Sequence, residues 1–142
     1  MSEAKDYLLK IKILDEKING KLGEIDDLYD LVTHITPYIK EDPGSSRGGN
    51  QDKLGTAVAK IVDLRKEINQ EIDCLVDLKR EITAKLEKLE NPDYYKVLHL
   101  RYIRNFTFEK IATEMNYSYR GVCYLHGRAL NVFEKIMNEG GG

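Results

Sequence analysis

Residues 98–130 read L-H-L-R-Y-I-R-N-F-T-F-E-K-I-A-T-E-M-N-Y-S-Y-R-G-V-C-Y-L-H-G-R-A-L, and this stretch decides the fold. It holds two short helical patterns separated by a polar break. Thr107 is placed to cap the first, whose apolar stripe is Phe108, Ile111, Ala112 and Met115. Asn116 and Tyr117 make the turn. Ser118 caps the next helix, which turns Val122, Leu125 or His126, Ala129 and Leu130 inward. Its outward positions are Tyr119, Arg120, Cys123, Tyr124 and Arg128. Two helices on so short a turn match the way a helix-turn-helix offers side chains to the major groove of DNA.

Working outward, Asn91-Pro92-Asp93 is a start signal: a capping Asn, Pro at the first helical position, then an acid in the first turn. It predicts a helix over 92–104 that offers Tyr95, Leu98, Tyr102 and Ile103 to a core and breaks at Asn105. With helices over 107–115 and 118–138, this makes a three-helix domain over 91–138. Gly140-Gly141-Gly142 places a disordered tail at 139–142.

Residues 1–90 read differently. From Ala4 to about Ile39, Ile11, Ile18, Ile25 and Val32 recur every seven residues, and Leu14, Leu28 and Ile35 follow three places later. Pro37 and Asp42-Pro43-Gly44 mark the end, and the composition of 40–52 predicts a flexible loop. Then Leu54, Ile61, Ile68, Leu75, Ile82 and Leu89 hold one heptad position through six repeats. So sustained a repeat demands a helical partner. Two segments of similar length joined by one glycine-rich connection predict an antiparallel, coiled-coil-like hairpin, each helix about 55 Å long. The expected fold is therefore all-α, a long hairpin followed by a helix-turn-helix domain. The stripe is wide enough to suggest a homodimer paired through Leu54, Ile61, Ile68, Leu75 and Ile82.

Composition narrows the function. Of the 142 residues 32% are charged and 8% aromatic, with no Trp, which suits a surface-rich helical protein better than a globule with a deep pocket. Cys74 and Cys123 lie far apart without metal-type spacing, and no apolar run approaches the ~20 residues that span a bilayer. A cytoplasmic protein without membrane contact is expected. Residues 1–90 carry 15 Lys and Arg against 19 Asp and Glu, whereas 91–142 carry 7 against 5. That bias toward a basic C-terminal region is weak, and charge alone would not suggest DNA.

Y-Y-K-V-L-H-L-R-Y, then F-T-F-E-K-I-A-T-E-M-N-Y-S and V-C-Y-L-H-G-R-A-L, resembles region 4 of sigma-70-type transcription initiation factors over residues 92–135. Together with V-D-L-R-K-E-I-N and E-N-P-D-Y in the preceding segment, the chain resembles small phage and prophage proteins of Gram-positive bacteria. Their relatives include regulators of late phage genes. The resemblance implies that the middle helix of the three lies across the DNA backbone and the last enters the major groove. Ser118 would start that last helix, Tyr119, Arg120, Cys123 and Tyr124 would lie nearest base edges, and Lys110 and Arg128 nearer phosphates. Sigma factors carry more Arg and Lys on this helix, where here Gly121, Cys123 and Gly127 stand. Nothing resembles sigma regions 2 and 3, so promoter melting by this chain alone is not expected.

The expected function is that of a sequence-specific transcriptional regulator of phage or prophage origin that binds double-stranded DNA. Two alternatives stand beside it. One is a DNA-recognition subunit of small-terminase type, which also joins a helix-turn-helix to an oligomerising arm. The other is an interaction module that contacts RNA polymerase instead of DNA. No enzyme, cofactor or metal is expected: His34, His99 and His126 fall in separate helical patterns, and Arg47-Gly48-Gly49-Asn50 lacks the strand and Lys of a phosphate loop. His126 reads as a packed imidazole and Cys123 as a small residue on a helix face.

Overall fold

The computed structural model describes residues 3–41 and 47–140, with the backbone alone for 35–41 and 47–50. The described chain is all-α. Its elements are α1 (Glu3–Glu41), α2 (Arg47–Leu86), α3 (Pro92–Leu98), a π-helical segment (His99–Ile103), α4 (Phe108–Met115) and α5 (Tyr119–Gly140). No described helix is long and apolar enough to cross a membrane.

The expected loop over 40–52 is too long at both ends. Helix α1 continues through Pro37 to Glu41, and α2 begins at Arg47; 42–46 lie outside the described residues. Pro37 removes one backbone donor without ending the helix, and the first amides of any helix lack intrahelical partners, so Gly48, Gly49 and Asn50 enter the first turn of α2. The C-terminal tail is shorter as well, since α5 runs on to Gly140, two residues into it; 141 and 142 lie outside the described residues.

Contacts divide the chain into two compact units, one of residues up to Asp15 and from Leu75 onward, the other Glu16–Cys74. In the unit Glu16–Cys74, Ile18 and Ile25 of α1 and Ala57, Ile61, Leu64 and Ile68 of α2 are buried. Lys21 pairs with Glu71 and Arg65 donates to the Tyr29 hydroxyl, so residue numbers rise along one helix as they fall along the other. Ile61, Ile68 and Ile82 are buried and Leu54 and Leu75 half-buried within a single chain. Those side chains already have intrachain cover.

The other unit has one apolar cluster. Ala4, Leu8 and Ile11 of α1, Ile82 and Leu86 of α2, and Leu89 join Val97, Leu98, Leu100, Tyr102, Ile111, Val122 and Phe133. Leu89, last of the heptad series, lies beyond the end of α2: its amide bonds Leu86 O at 3.0 Å, and this turn delivers it, buried, to the cluster. The amide of Ala4 donates to Glu134 Oε1 of α5 at 3.3 Å.

The helix expected over 92–104 starts as read, with Asn91 Oδ1 accepting from the amides of Asp93 (2.9 Å) and Tyr94 (3.3 Å). It does not stay α. From His99 it widens, Arg104 N bonding His99 O at 3.1 Å, and Asn105 ends it at φ 59°. Phe106 N then bonds Leu100 O at 2.9 Å, one residue wider than an ordinary left-handed cap.

Candidate nucleic-acid interface

The pair α4–α5 is built from local signals. Thr107 Oγ1 accepts from the amide of Lys110 at 3.2 Å and starts α4. Asn116, at φ 59°, ends it: Asn116 N bonds Thr113 O at 3.4 Å and Tyr117 N bonds Ala112 O at 2.9 Å, a Schellman closure. Tyr117 is pinned by its hydroxyl, which donates to Asp93 Oδ2 at 2.9 Å and whose pKa that hydrogen bond raises. Ser118 then starts α5, its Oγ accepting from the amide of Gly121 at 3.0 Å. Gly121 has a local reason: a Cβ there would stand 3.1 Å from Ser118 Oγ and 3.3 Å from Cδ2 of Tyr117.

One face of α5 is buried through Val122, Leu125, His126, Ala129, Leu130 and Phe133. The sequence left Leu125 and His126 as alternatives; both turn inward. His126 Nε2 and the Tyr102 hydroxyl share a 2.6 Å hydrogen bond, and Phe108 packs edge-on against the imidazole at 5.0 Å. Burial foremost, then the charges of Arg101 and Lys5, lower the His126 pKa to about 4, so the ring is neutral at pH 7. Burial pushes the Tyr102 phenol up to about 12.

All seven candidate contact residues are exposed and lie on α4, at the start of α5 or along its outer face: Lys110, Ser118, Tyr119, Arg120, Cys123, Tyr124 and Arg128. Tyr119 is 52% exposed, its ring held edge-on by Phe108 at 6.3 Å; Cys123, chiefly, and Glu109 raise its pKa. Tyr124, 65% exposed, accepts from Arg128 Nη1 at 2.9 Å, and hydrogen bonds to Tyr124 and Tyr94 raise the Arg128 pKa. Arg128 is thus braced against two phenols.

Three cations near this face were missed from sequence: Arg101, Lys5 and Arg104. Arg101 reaches from the π-helical segment, donating to Phe106 O at 3.1 Å with its guanidinium over the Phe108 ring at 4.2 Å. Lys5 arrives from α1, lining with Arg101, Phe108, Cys123 and His126 a cleft of about 200 Å³. Nearby, Arg104 and Lys110 lie over the ring of Phe106 at 4.6 and 4.1 Å. The signal for Arg101 was present, a cation between the buried Leu100 and Tyr102; Lys5 sits in the acidic N-terminal region and gave none.

The profile of the family described as "Protein of unknown function (DUF1492)" matches residues 35–132, more than half of the chain. The chain belongs to the DUF1492 family. No curated protein and no solved structure matches it. The DUF1492 match begins near the end of α1 and runs through α2, α3 and α4 into α5.

Proposed function

We propose that this DUF1492 chain is a sequence-specific regulator that binds duplex DNA, with α4 and α5 as a helix-turn-helix and α1–α2 as a helical hairpin. The observation that carries this reading is the two-faced α5. One face is closed by Val122, Leu125, His126 and Ala129, and the other leaves Tyr119, Arg120, Cys123, Tyr124 and Arg128 in solvent directly after a capped turn. No metal or cofactor enters the reading. The region-4 resemblance assigns base reading to the N-terminal turns of α5, where Arg120 has the bidentate geometry that suits guanine and Tyr119 and Tyr124 can meet a thymine methyl. Lys5, Arg101, Arg104, Lys110 and Arg128 supply backbone charge around it. One such domain binds non-specific duplex only at ~10⁻⁴–10⁻⁶ M at physiological salt, so a second copy or a tether to RNA polymerase supplies the rest through effective concentration.

The test is selection of bound duplex fragments from the source genome, followed by titration of the recovered site at several salt concentrations. Arg120→Ala is expected to weaken the selected site by roughly 10- to 100-fold and relax its sequence preference. Arg101→Ala is expected to weaken selected and random duplexes alike and to flatten the salt slope by about one. Absence of salt-sensitive duplex binding by the wild-type chain would remove the proposal.

A further inference from the structure

The seam between α1 and α2 in the unit Glu16–Cys74 has two unlike flanks. Taking Ile18 and Ile25 as one heptad row of α1 and Ile61 and Ile68 as that of α2, the residues just before these rows are Lys17, Glu24, Lys60 and Glu67. That flank is charged, and Lys21 turns toward Glu67 at 3.9 Å on it. The residues four places after the rows are Leu22 and Tyr29 on α1 and Arg65 and Ile72 on α2, with Val58 one heptad earlier. The bond from Arg65 to the Tyr29 hydroxyl shows that these rows border the same side. Val62 extends the α2 row outward by one more. Leu22, Tyr29, Val58, Val62 and Ile72 are 45, 42, 46, 47 and 41% exposed. Leu31, also exposed, belongs to the charged flank and stands apart.

A chain in which 32% of residues are charged leaves this flank with two charges, Arg65, already bonded to Tyr29, and Asp26, in the outer α1 row that matches Val62. The five side chains leave roughly 400 Å² of apolar surface in water, the size of the largest apolar patch on an ordinary monomer, which is often a functional one. Interfaces are a little over half apolar, so this amount corresponds to roughly 700 Å² of total area per partner, close to the ~800 Å² of a standard-size complex. The occupant must carry apolar residues at a seven-residue period along a straight face, which a second copy of the same flank does. A two-fold axis across it makes the patch its own partner.

We propose that the flank formed by Leu22, Tyr29, Val58, Val62 and Ile72 is a self-association surface, on which two copies of the chain pack their α1–α2 pairs into a four-helix bundle. The proposal is independent of whether α5 reads DNA. It places the interface one row away from the buried series Ile61 and Ile68, and it uses side chains that intrachain packing leaves half in water.

The experiment is sedimentation equilibrium on the full chain across micromolar concentrations, with far-UV circular dichroism alongside. Wild type is expected at twice the 16.3 kDa chain mass. Val62→Glu with Ile72→Glu is expected to weaken dimerisation by a hundredfold or more with helicity unchanged, because both positions are already partly solvated. Lys60→Glu, on the charged flank, is expected to leave the mass at the dimer value. A wild-type chain that stays monomeric at every concentration overturns the proposal, as does a Val62→Glu/Ile72→Glu variant that remains a dimer. Loss of dimer in Lys60→Glu as readily as in the double variant also overturns it, by moving the interface to the other flank.

Discussion

At the scale of single residues, the centre of the α5 face is the His126–Tyr102 pair. A buried imidazole with a pKa near 4 is neutral when folded, whereas in the unfolded chain it titrates near the ordinary 6.5. The unfolded state therefore binds more protons between these values, and stability is full above about pH 6.5 and falls as pH drops toward 4. The loss attributable to this group is on the order of 2–3 kcal/mol by pH 4. Urea midpoints at pH 7.5 and 5 for wild type and His126→Gln would measure it, the variant being expected to show the shallower pH dependence. An equal slope in both would assign the acid sensitivity elsewhere. The sequence already marked His126 as a packed ring on the α5 stripe. It did not reveal Tyr102 as the partner, because the two are 24 positions apart and only the tertiary packing of α5 against the π-helical segment brings them together.

At the scale of elements, two asparagines set the turns. Asn105 and Asn116 both sit at φ 59°, a conformation costly for most side chains and tolerated by Asn. Asn116→Ala is expected to destabilise the chain by about 1 kcal/mol and Asn116→Gly to leave it near wild type, since glycine takes the left-handed cap without penalty. Thermal melts of the two variants would decide. Gly127 gives the opposite case: a Cβ there meets nothing within 4 Å, so Gly127→Ala should stabilise α5 by roughly 0.5–1 kcal/mol. If the same variant loses duplex affinity, the bare backbone at Gly127 is a contact point. Thr107, Asn116 and Ser118 were all legible because capping is chemistry between near neighbours. The widening at His99 was not, because L-H-L-R-Y-I carries no residue that forbids an α-turn. Only its place in the cluster, with Leu98, Leu100 and Tyr102 all buried, goes with the extra residue.

At the scale of the whole molecule, heptad periodicity identified which helices need partners but not how the core divides. The repeat through Ile61, Ile68, Leu75, Ile82 and Leu89 reads as uniform in sequence, yet its early members are buried in the unit Glu16–Cys74 and its later ones join Val97, Leu98 and Phe133. A period records that a face is covered, not what covers it. The consequence is testable by truncation. A fragment of residues 91–142 keeps α3, α4 and α5 but loses Ala4, Leu8, Ile11, Ile82, Leu86 and Leu89, six buried members of its cluster. Five of the six are large aliphatics, and burying one contributes roughly 1.5–3 kcal/mol, so their loss costs about 8–15 kcal/mol, the size of the 5–15 kcal/mol margin of an ordinary domain. The fragment is expected to show residual helicity without a cooperative thermal transition, while the full chain unfolds cooperatively. A fragment that melts sharply near the temperature of the intact chain would mean that α3–α5 form a self-sufficient domain, and that the ends of α1 and α2 only rest against it.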